Sequence, residues 1–206
     1  MNNIKTIASR TVLVTGANRG IGRALVEEAL GRGAKRVYAG TRHPLVHPDE
    51  RVTPLILDIT DPEQIREAVA KVDSLDILIN NAGLALGRAP FDESSEEDEA
   101  TVFAVNVTGL VRMTRLCLPH FGDWGHIVNM GSVAGRAAYE GGATYVSSKF
   151  AERGFTYALR EDLLGRPVRI TTVDPGLVET EFSLVRFKGD EEKAAEIGRA
   201  SCRERV

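Results

Sequence analysis

Two side chains four residues apart, Tyr145 and Lys149, form a pair that could transfer protons. Residues at this spacing share one face of a helix, so an ammonium can lie close to a phenol. A tyrosine side chain needs its pKa lowered by about three units from ~10 to act near neutrality, or ~4 kcal/mol. An ammonium ~4 Å away, at an effective dielectric of ~20, stabilises the phenolate by about that free energy. The pair therefore predicts a general acid/base.

Two further polar side chains could join this pair. Ser132 follows the apolar run His126–Met130, and its hydroxyl could polarise a substrate carbonyl. Taken alone, Ser132 is better interpreted as an ordinary turn residue at a strand end. Asn106 interrupts an apolar helix face over Val102–Val107, where asparagine is mildly unfavourable because its side chain competes for backbone groups. A packing asparagine with satisfied hydrogen bonds is the alternative there.

The stretch Thr15–Gly22, TGANRGIG, links a strand pattern to a helix pattern. Glycines at such a link allow close backbone approach to a pyrophosphate, whose charge is favoured at the helix N-terminus. A chain of this composition would contain about 0.01 such matches by chance. The pattern predicts a dinucleotide site, and a glycine-rich turn without a ligand is the alternative.

The residues after the second strand pattern indicate which dinucleotide. A ribose with a free 2′-hydroxyl usually meets an Asp or Glu roughly 20 residues after the glycine motif. Here Thr41 and Arg42 follow Gly40, with no acid, and Arg19 adds a second guanidinium inside the glycine loop. Two cations favour a 2′-phosphate. The prediction is NADP(H) rather than NAD(H), unless either arginine is only a solvated surface charge.

The elements that would position these residues alternate between short β-branched runs and longer amphipathic stretches. Strands are predicted over Thr11–Thr15, Arg36–Gly40, Thr53–Leu57, Asp76–Asn80, His126–Met130 and Val168–Asp174. Helices are predicted over Arg19–Leu30, after Thr60, over Ser95–Leu118, which opens on a capping box, and over Gly142–Leu164. This alternation predicts an α/β fold, a doubly wound (Rossmann) parallel sheet of six strands with helices on both faces.

Composition excludes several classes of protein. The 206 residues include 26 basic and 29 acidic side chains, a net charge of −3 that disfavours a nucleic-acid partner. Two cysteines cannot form a zinc cluster or a disulfide framework, and no metal site is expected. The polar start of the chain and the lack of any apolar run near ~20 residues predict a cytoplasmic protein without a membrane partner.

Taken together, these motifs resemble the short-chain dehydrogenase/reductase family. The matching pieces are TGANRGIG at 15–22, LDIT at 57–60, NNAG at 80–83, Asn106, Ser132, YxxxK at 145–149 and PG at 175–176. The resemblance implies hydride transfer between a nicotinamide and a carbonyl or alcohol. Tyr145 would be the acid/base, Lys149 would make the phenol more acidic and hold the ribose, and Ser132 would orient the substrate oxygen. Asn106 would seat a water in a proton relay.

The resemblance also implies a set of cofactor contacts shared between loops at one edge of the sheet. These are Gly16, Asn18, Arg19, Gly20, Ile21, Gly22, Thr41, Arg42, Asp58, Ile59, Asn80, Ala82, Gly83, Tyr145, Lys149, Pro175, Gly176, Val178 and Thr180. Asp58 and Ile59 would flank the adenine.

A finer resemblance concerns the substrate. NNAGLALG at 80–87, YEGGATY at 139–145 and TEFSLVRFKGD at 180–190 look like the NADP-dependent branch that oxidises short 3-hydroxy acids and serine-like compounds. Ser132 and Tyr145 would contact the substrate, and Arg186 could grip its carboxylate with two hydrogen bonds. An exposed arginine on a lid segment is the alternative for Arg186.

The sequence departs from the family at its C-terminal end. Six strands are predicted where the family sheet has seven. Residues 1–196 are expected to form a single domain, and 197–206 a non-native tail. The chain is therefore expected to be a truncated form of a homo-oligomeric parent, and two alternatives to an enzyme stay open: a non-catalytic nicotinamide-binding regulatory protein, and an inactive truncated fragment.

Overall fold

The computed structural model describes residues 6–195, which form one six-stranded parallel sheet with strand order β3-β2-β1-β4-β5-β6. The strands are β1 Thr11–Thr15, β2 Arg36–Thr41, β3 Val52–Ile56, β4 Leu75–Asn80, β5 Phe121–Met130 and β6 Val168–Val173. The helices are α1 Gly20–Gly31, α2 Pro62–Ala70, α3 Glu96–Phe103, α4 Leu110–Cys117, α5 Ala143–Asp162 and α6 Phe182–Arg186. A π-helix, Ala104–Gly109, joins α3 to α4. The predicted fold class is confirmed.

The central strand is buried on both faces. All five residues of β1 are buried, as a continuous apolar run in a parallel sheet requires. One core layer joins β4 and β5 to α2, α4 and α5, with Leu78, Met113 and Ile127 fully buried. The other layer packs α1 on the opposite face of β1 and β2 through Val26, among others. The sheet therefore holds its carboxyl edge rigidly between two apolar layers.

The order of the strands opens a crevice at that edge. From β1 the chain moves outward through β2 to β3, and it then returns to β4 on the other side of β1. Ligands of doubly wound sheets bind at this reversal, beyond the carboxyl ends of the strands. The glycine loop leaves β1 at this point, and the segment 81–90 leaves β4 beside it.

Two elements differ from their predictions. The helix predicted over Ser95–Leu118 starts as expected, with Ser95 as its N-cap, but it contains the π-helical segment and is not one regular α-helix. Strand β5 begins at Phe121, five residues before its predicted start, because Phe121 pairs with Leu75 despite the turn-type residues Gly122 and Asp123. The proposed tail at 197–206 lies outside the described residues, and the single-domain division stays a prediction.

The helical run Glu96–His120 is long and apolar enough to cross a membrane, with a mean hydropathy of 1.2. The expectation that no run approaches this length is wrong by that criterion. Length and composition are weak grounds, since core helices pass the same test. In this run Val102, Met113 and Cys117 are buried against the rest of the protein. The lack of a membrane partner stays a prediction.

Candidate active site

The glycine loop after β1 is folded tightly upon itself. Gly16 and Gly20 have φ values of +65° and +51°, a region that side chains with a Cβ rarely adopt. A Cβ at position 22 would lie 2.1 Å from the Gly16 carbonyl oxygen, so only glycine fits there. The N-cap residue of α1, Arg19, makes no side-chain cap hydrogen bond. The first turn of α1 thus keeps backbone N–H groups for an anion, which fits a pyrophosphate.

A hydrogen-bonded joint ties this loop to the end of β4. Thr15 Oγ1 accepts from the backbone N–H groups of Asn81 and Ala82 at 3.0 and 2.9 Å. In return, Asn81 Nδ2 donates to the carbonyl oxygens of Thr15 and Gly16 at 2.9 and 3.2 Å. Sequence reasoning quoted Asn81 only as part of a motif and assigned it no role. The Asn81 side chain holds the glycine loop against the end of β4, where the two segments meet at the crevice.

The preceding residue, Asn80, is buried in the protein interior. Its Nδ2 donates to Thr114 Oγ1 at 3.0 Å and to Asn129 Oδ1 at 2.9 Å. The core thus uses the amide nitrogen, whereas Oδ1 is buried without a hydrogen-bond partner in the described chain, and the expected cofactor contact of Asn80 stays a prediction. The family resemblance implies that Asn80, Ala82 and Gly83 line the ribose of the cofactor. Of these three, Ala82 and Gly83 are the more exposed, and Gly83 has no side chain that would narrow the site.

Asn106 lies in the π-helix and is only 1% exposed. Its Oδ1 accepts from Leu84 N–H at 2.9 Å, and its Nδ2 donates to Leu84 O at 2.8 Å and to Ser148 Oγ at 3.0 Å. The side chain is thus satisfied by protein groups and fastens the segment after β4 to α5. The expected water-seating role stays a prediction.

Lys149 is buried on α5, one turn after Tyr145. Its Nζ donates to Met130 O and to Glu152 Oε2, both at 2.8 Å, and lies 6.0 Å from the centroid of the Tyr145 ring. An ammonium has three donors, so one remains. A Cβ at position 83 would lie 3.7 Å from this nitrogen, which shows that the glycine leaves room beside it.

Ser132 begins the short turn after β5 and is held against α5. Its Oγ accepts from Ala134 N–H at 3.1 Å, which leaves the hydroxyl proton free to be donated. The turn contacts α5 closely, since a Cβ at position 135 would lie 3.1 Å from Lys149 O. Among residues 6–195 the Tyr145 hydroxyl makes no hydrogen bond, so both hydroxyl groups can still donate to a ligand.

A lid formed by the segment 176–190, which includes α6, lies over Tyr145. The ring of Phe182 packs edge-on against the Tyr145 ring, with centroids 5.8 Å apart. Arg186 Nε donates to Gly87 O at 2.8 Å, and Gly87 N–H donates to Arg186 O at 2.9 Å. Arg186 is 6% exposed, so the alternative of an exposed lid arginine is wrong, and its contact with a substrate stays a prediction.

The guanidinium of Arg186 has no carboxylate partner within the described part of the chain. It donates to Tyr139 Oη at 3.1 Å, and its carbon lies 6.0 Å from the Tyr145 ring centroid. A buried cation without a counter-ion beside a candidate acid/base is suited to an anionic substrate. Sequence reasoning missed Tyr139 and Gly87, which position it.

Arg19 and Arg42 are exposed at the same edge, and neither side chain has a hydrogen bond or ion pair within residues 6–195. Thr41 is buried, and its Oγ1 donates to His43 O at 2.5 Å. Asp58 accepts from Thr60 N–H and Oγ1 at 2.8 and 2.7 Å. Two guanidinium groups that no described residue engages fit a phosphate.

The remaining expected contacts are divided between core and lid. Ile59 belongs to the core, with its backbone packed against the helix at Gly109. Pro175 O accepts from Val133 N–H at 3.3 Å, which joins the lid's start to the turn of Ser132. A groove of about 950 Å³ runs between α1 and the lid. Its lining includes Gly20, Ile21, Val178 and Thr180, whereas Asn18 and Gly176 are exposed nearby.

This chain belongs to the short-chain dehydrogenase family, whose sequence pattern matches residues 10–190. It is similar to NADP-dependent 3-hydroxy acid dehydrogenase of Schizosaccharomyces pombe, at 42% identity over 201 residues, covering 90% of this chain and 78% of the relative. It is also similar to serine 3-dehydrogenase of Agrobacterium fabrum, at 38% identity over 194 residues, covering 89% and 78%.

Solved structures agree with this assignment. The closed form of serine dehydrogenase complexed with NADP+ superposes with a TM-score of 0.79 at 39% identity, covering 90% of this chain and 80% of the other. A short-chain dehydrogenase of Burkholderia cenocepacia in complex with NADP gives a TM-score of 0.82 at 35% identity, covering 87% and 77%. The expected family and fold are confirmed.

Proposed function

We propose that this chain is an NADP-dependent dehydrogenase that interconverts a short 3-hydroxy acid and its 3-oxo acid. The observation that carries the proposal is the placement of the buried, unpaired Arg186 6.0 Å from the Tyr145 ring. The relatives support the NADP-linked class of reaction. A regulatory protein without turnover is not favoured, because the chain retains the tyrosine, the lysine and the serine of the catalytic motif and its relatives are dehydrogenases.

The residues of this chain would divide the chemistry among them. NADP(H), when bound, supplies or accepts the hydride. Ser132 donates its free proton to the substrate oxygen and orients it. In reduction Tyr145 Oη gives its proton to that oxygen, and in oxidation the phenolate takes the proton back. The Lys149 ammonium stabilises the phenolate, and Arg186 binds the carboxylate two carbons from the reacting centre.

The glycine cradle, the uncapped start of α1 and the unpaired Arg19 and Arg42 would hold the pyrophosphate and the 2′-phosphate. These groups would fix the position of the cofactor relative to Tyr145.

The acid/base assignment is tested with Tyr145→Phe. The change removes the proton donor and leaves the ring contact with Phe182, so turnover should fall by at least ~10³-fold. NADPH binding, measured by fluorescence titration, should change by less than about threefold. Tyr157→Phe, at an exposed tyrosine on the same helix, is the matched control and should leave turnover unchanged. Turnover that survives Tyr145→Phe would exclude the proposed mechanism.

The substrate class is tested with Arg186→Gln. Loss of a charge-assisted contact worth ~1.5–3 kcal/mol predicts a ~10–100-fold rise in KM for a 3-hydroxy acid. KM for an uncharged secondary alcohol should stay within about threefold. Arg88→Gln is the control, because Arg88 also lies 5.6 Å from the Tyr139 ring but is exposed. Equal losses on both substrates would contradict a carboxylate site.

We also infer that the protein works in the cytoplasm as a homo-oligomer, without a nucleic-acid or membrane partner. The net charge of −3 supports the first exclusion. The exposed aromatic residues Phe103, Phe150 and Tyr157 on α3 and α5 support self-association. Sedimentation of the purified chain tests it, and a monomer at micromolar concentration would contradict the oligomer.

A further inference from the structure

Glu152 is a buried acid that the proposed mechanism leaves unused. It lies on α5, one turn beyond Lys149, and its side chain is 1% exposed. Its Oε2 accepts from Lys149 Nζ at 2.8 Å. Its Oε1 is buried without a hydrogen-bond partner in the described chain. A carboxylate held out of water with half of its acceptors unused is unfavourable unless its charge acts on a neighbour.

The charges around Glu152 come from three elements. Lys149 and Arg153 lie on α5 with it, Asp174 follows β6, and Arg136 follows the turn of Ser132. Asp174 is already paired, since its Oδ2 lies 2.6 Å from Arg136 and 3.7 Å from Arg153. Lys149 is therefore the cation in direct contact with Glu152.

Burial raises the pKa of Glu152, the contact with Lys149 opposes this rise, and the charge of Asp174 adds to it. The ion pair with Lys149 thus favours the ionised form that burial disfavours.

The geometry of Lys149 shows what the contact does. Two of its three N–H groups are fixed by Met130 O and by Glu152, from opposite parts of the fold. A flexible four-carbon side chain is thereby held in one place, with one N–H group left and its nitrogen 3.7 Å from where a Cβ at position 83 would lie. The same carboxylate sets a negative charge 2.8 Å from the ammonium that would act on Tyr145.

We propose that Glu152 is a positioning residue that fixes the Lys149 ammonium and offsets part of its charge at Tyr145. This inference rests on the proposed roles of Tyr145 and Lys149. A negative charge behind the ammonium opposes formation of the phenolate, so the tyrosine keeps its proton to a higher pH. The arrangement maintains a proton donor for carbonyl reduction, whereas an uncompensated lysine would favour the phenolate and alcohol oxidation.

The experiment compares Glu152→Gln with wild type, and Glu161→Gln serves as a control at an exposed acid on the same helix. Tyrosinate absorbance of the cofactor-free protein, with Tyr145→Phe as the blank, gives the pH midpoint of Tyr145 ionisation. The acid limb of NADP⁺-dependent oxidation gives the same quantity during turnover. Glu152→Gln should move both midpoints to lower pH by about 0.5–1 unit. Glu161→Gln should move neither.

Two outcomes overturn the proposal: midpoints that coincide in Glu152→Gln and wild type, or a shift to higher pH. Glu152→Asp keeps the charge and shortens the side chain, so it should leave the midpoint near its wild-type value while lowering kcat. A structural role alone would lower kcat in both variants without the shift. If Tyr145→Phe retains full turnover, the proposed function fails instead, and the two failures are thus distinguishable.

A measurement that leaves Glu152 in place decides the case in which neither variant folds. The side-chain carboxyl carbon of Glu152, followed by carbon-13 NMR, should show an inflection as Tyr145 ionises, because coupled groups report each other's titration. The inflection should be absent in Tyr145→Phe. Its absence in wild type as well would overturn the proposal.

Discussion

At the scale of single residues, the preference for one dinucleotide depends on two guanidinium groups. Arg42 follows β2 directly and Arg19 precedes the first residue of α1, so both lie beyond the carboxyl ends of neighbouring strands. Neither is engaged elsewhere in residues 6–195. A free guanidinium can bind a phosphate with two parallel hydrogen bonds, which a ribose hydroxyl cannot match.

Arg42→Ala should therefore weaken NADPH far more than NADH. Loss of a charge-assisted contact of ~1.5–3 kcal/mol predicts a ~10–100-fold rise in Kd for NADPH, and less than about threefold for NADH. Fluorescence titration with both nucleotides measures the two constants. Arg36→Ala is the control, since Arg36 is an exposed arginine at the opposite end of the same strand. A similar loss for both nucleotides would locate the 2′-phosphate elsewhere.

Individual residues could be predicted from the sequence where the local backbone conformation requires a particular residue type. The glycines of the loop could be predicted because their spacing between a strand and a helix is itself the sequence signal for a tight turn. The partners of Arg186 could not be found, because Gly87 lies 99 residues away and contacts it only through the closed lid. Glu152 was missed because a glutamate on an amphipathic helix predicts a solvated surface, and only the packing shows that it is buried.

At the scale of elements, the irregular helix between α3 and α4 positions the site. The π-helical segment Ala104–Gly109 carries Asn106, whose two bonds with Leu84 fasten the segment after β4. The sequence predicted one continuous helix, because the single extra residue of a π-turn shifts the apolar pattern by only one position, which so short a stretch does not reveal. The extra residue is retained because the amide it supports completes hydrogen bonds from a distant segment, and π-turns are frequent at functional sites.

Asn106→Ala should destabilise the fold by about 2–3 kcal/mol, because it leaves the Leu84 N–H and carbonyl groups without their partners. The free energy of unfolding in urea measures this loss. Thr108→Ala is the matched control, at an exposed residue of the same π-helix, and should change stability by less than ~0.5 kcal/mol. Equal effects at the two positions would show that the asparagine is not what fastens this segment.

At the scale of the whole molecule, one sheet edge gathers residues from the entire sequence. The glycine loop follows β1, the acid/base helix precedes β6, and the lid follows it. The alternation of strands and helices was enough to predict this sheet, because parallel strands place all their carboxyl ends on one side. It could not predict which parts of the edge are closed, because the lid is held by long-range contacts such as Lys188 with Asp98 at 2.9 Å.

Because the cofactor site and the core are built on the same sheet, cofactor binding should protect the Cys117 thiol from chemical modification. Cys117 lies in the core layer formed with α2, α4 and α5. Cys117 is 1% exposed, and burial raises its pKa to about 12, so about 10⁻⁴ of it is thiolate at pH 8. In a Cys202→Ser background, a disulfide reagent should therefore modify Cys117 only through unfolding. If that opening is global, NADPH at ~100 times its Kd should slow modification about 100-fold, since the unfolded chain does not bind it.

NADH at the same concentration is the control: it is expected to bind more weakly and should slow modification less. A rate that NADPH leaves unchanged would mean that α4 opens locally and that the site and this core layer do not unfold as one unit.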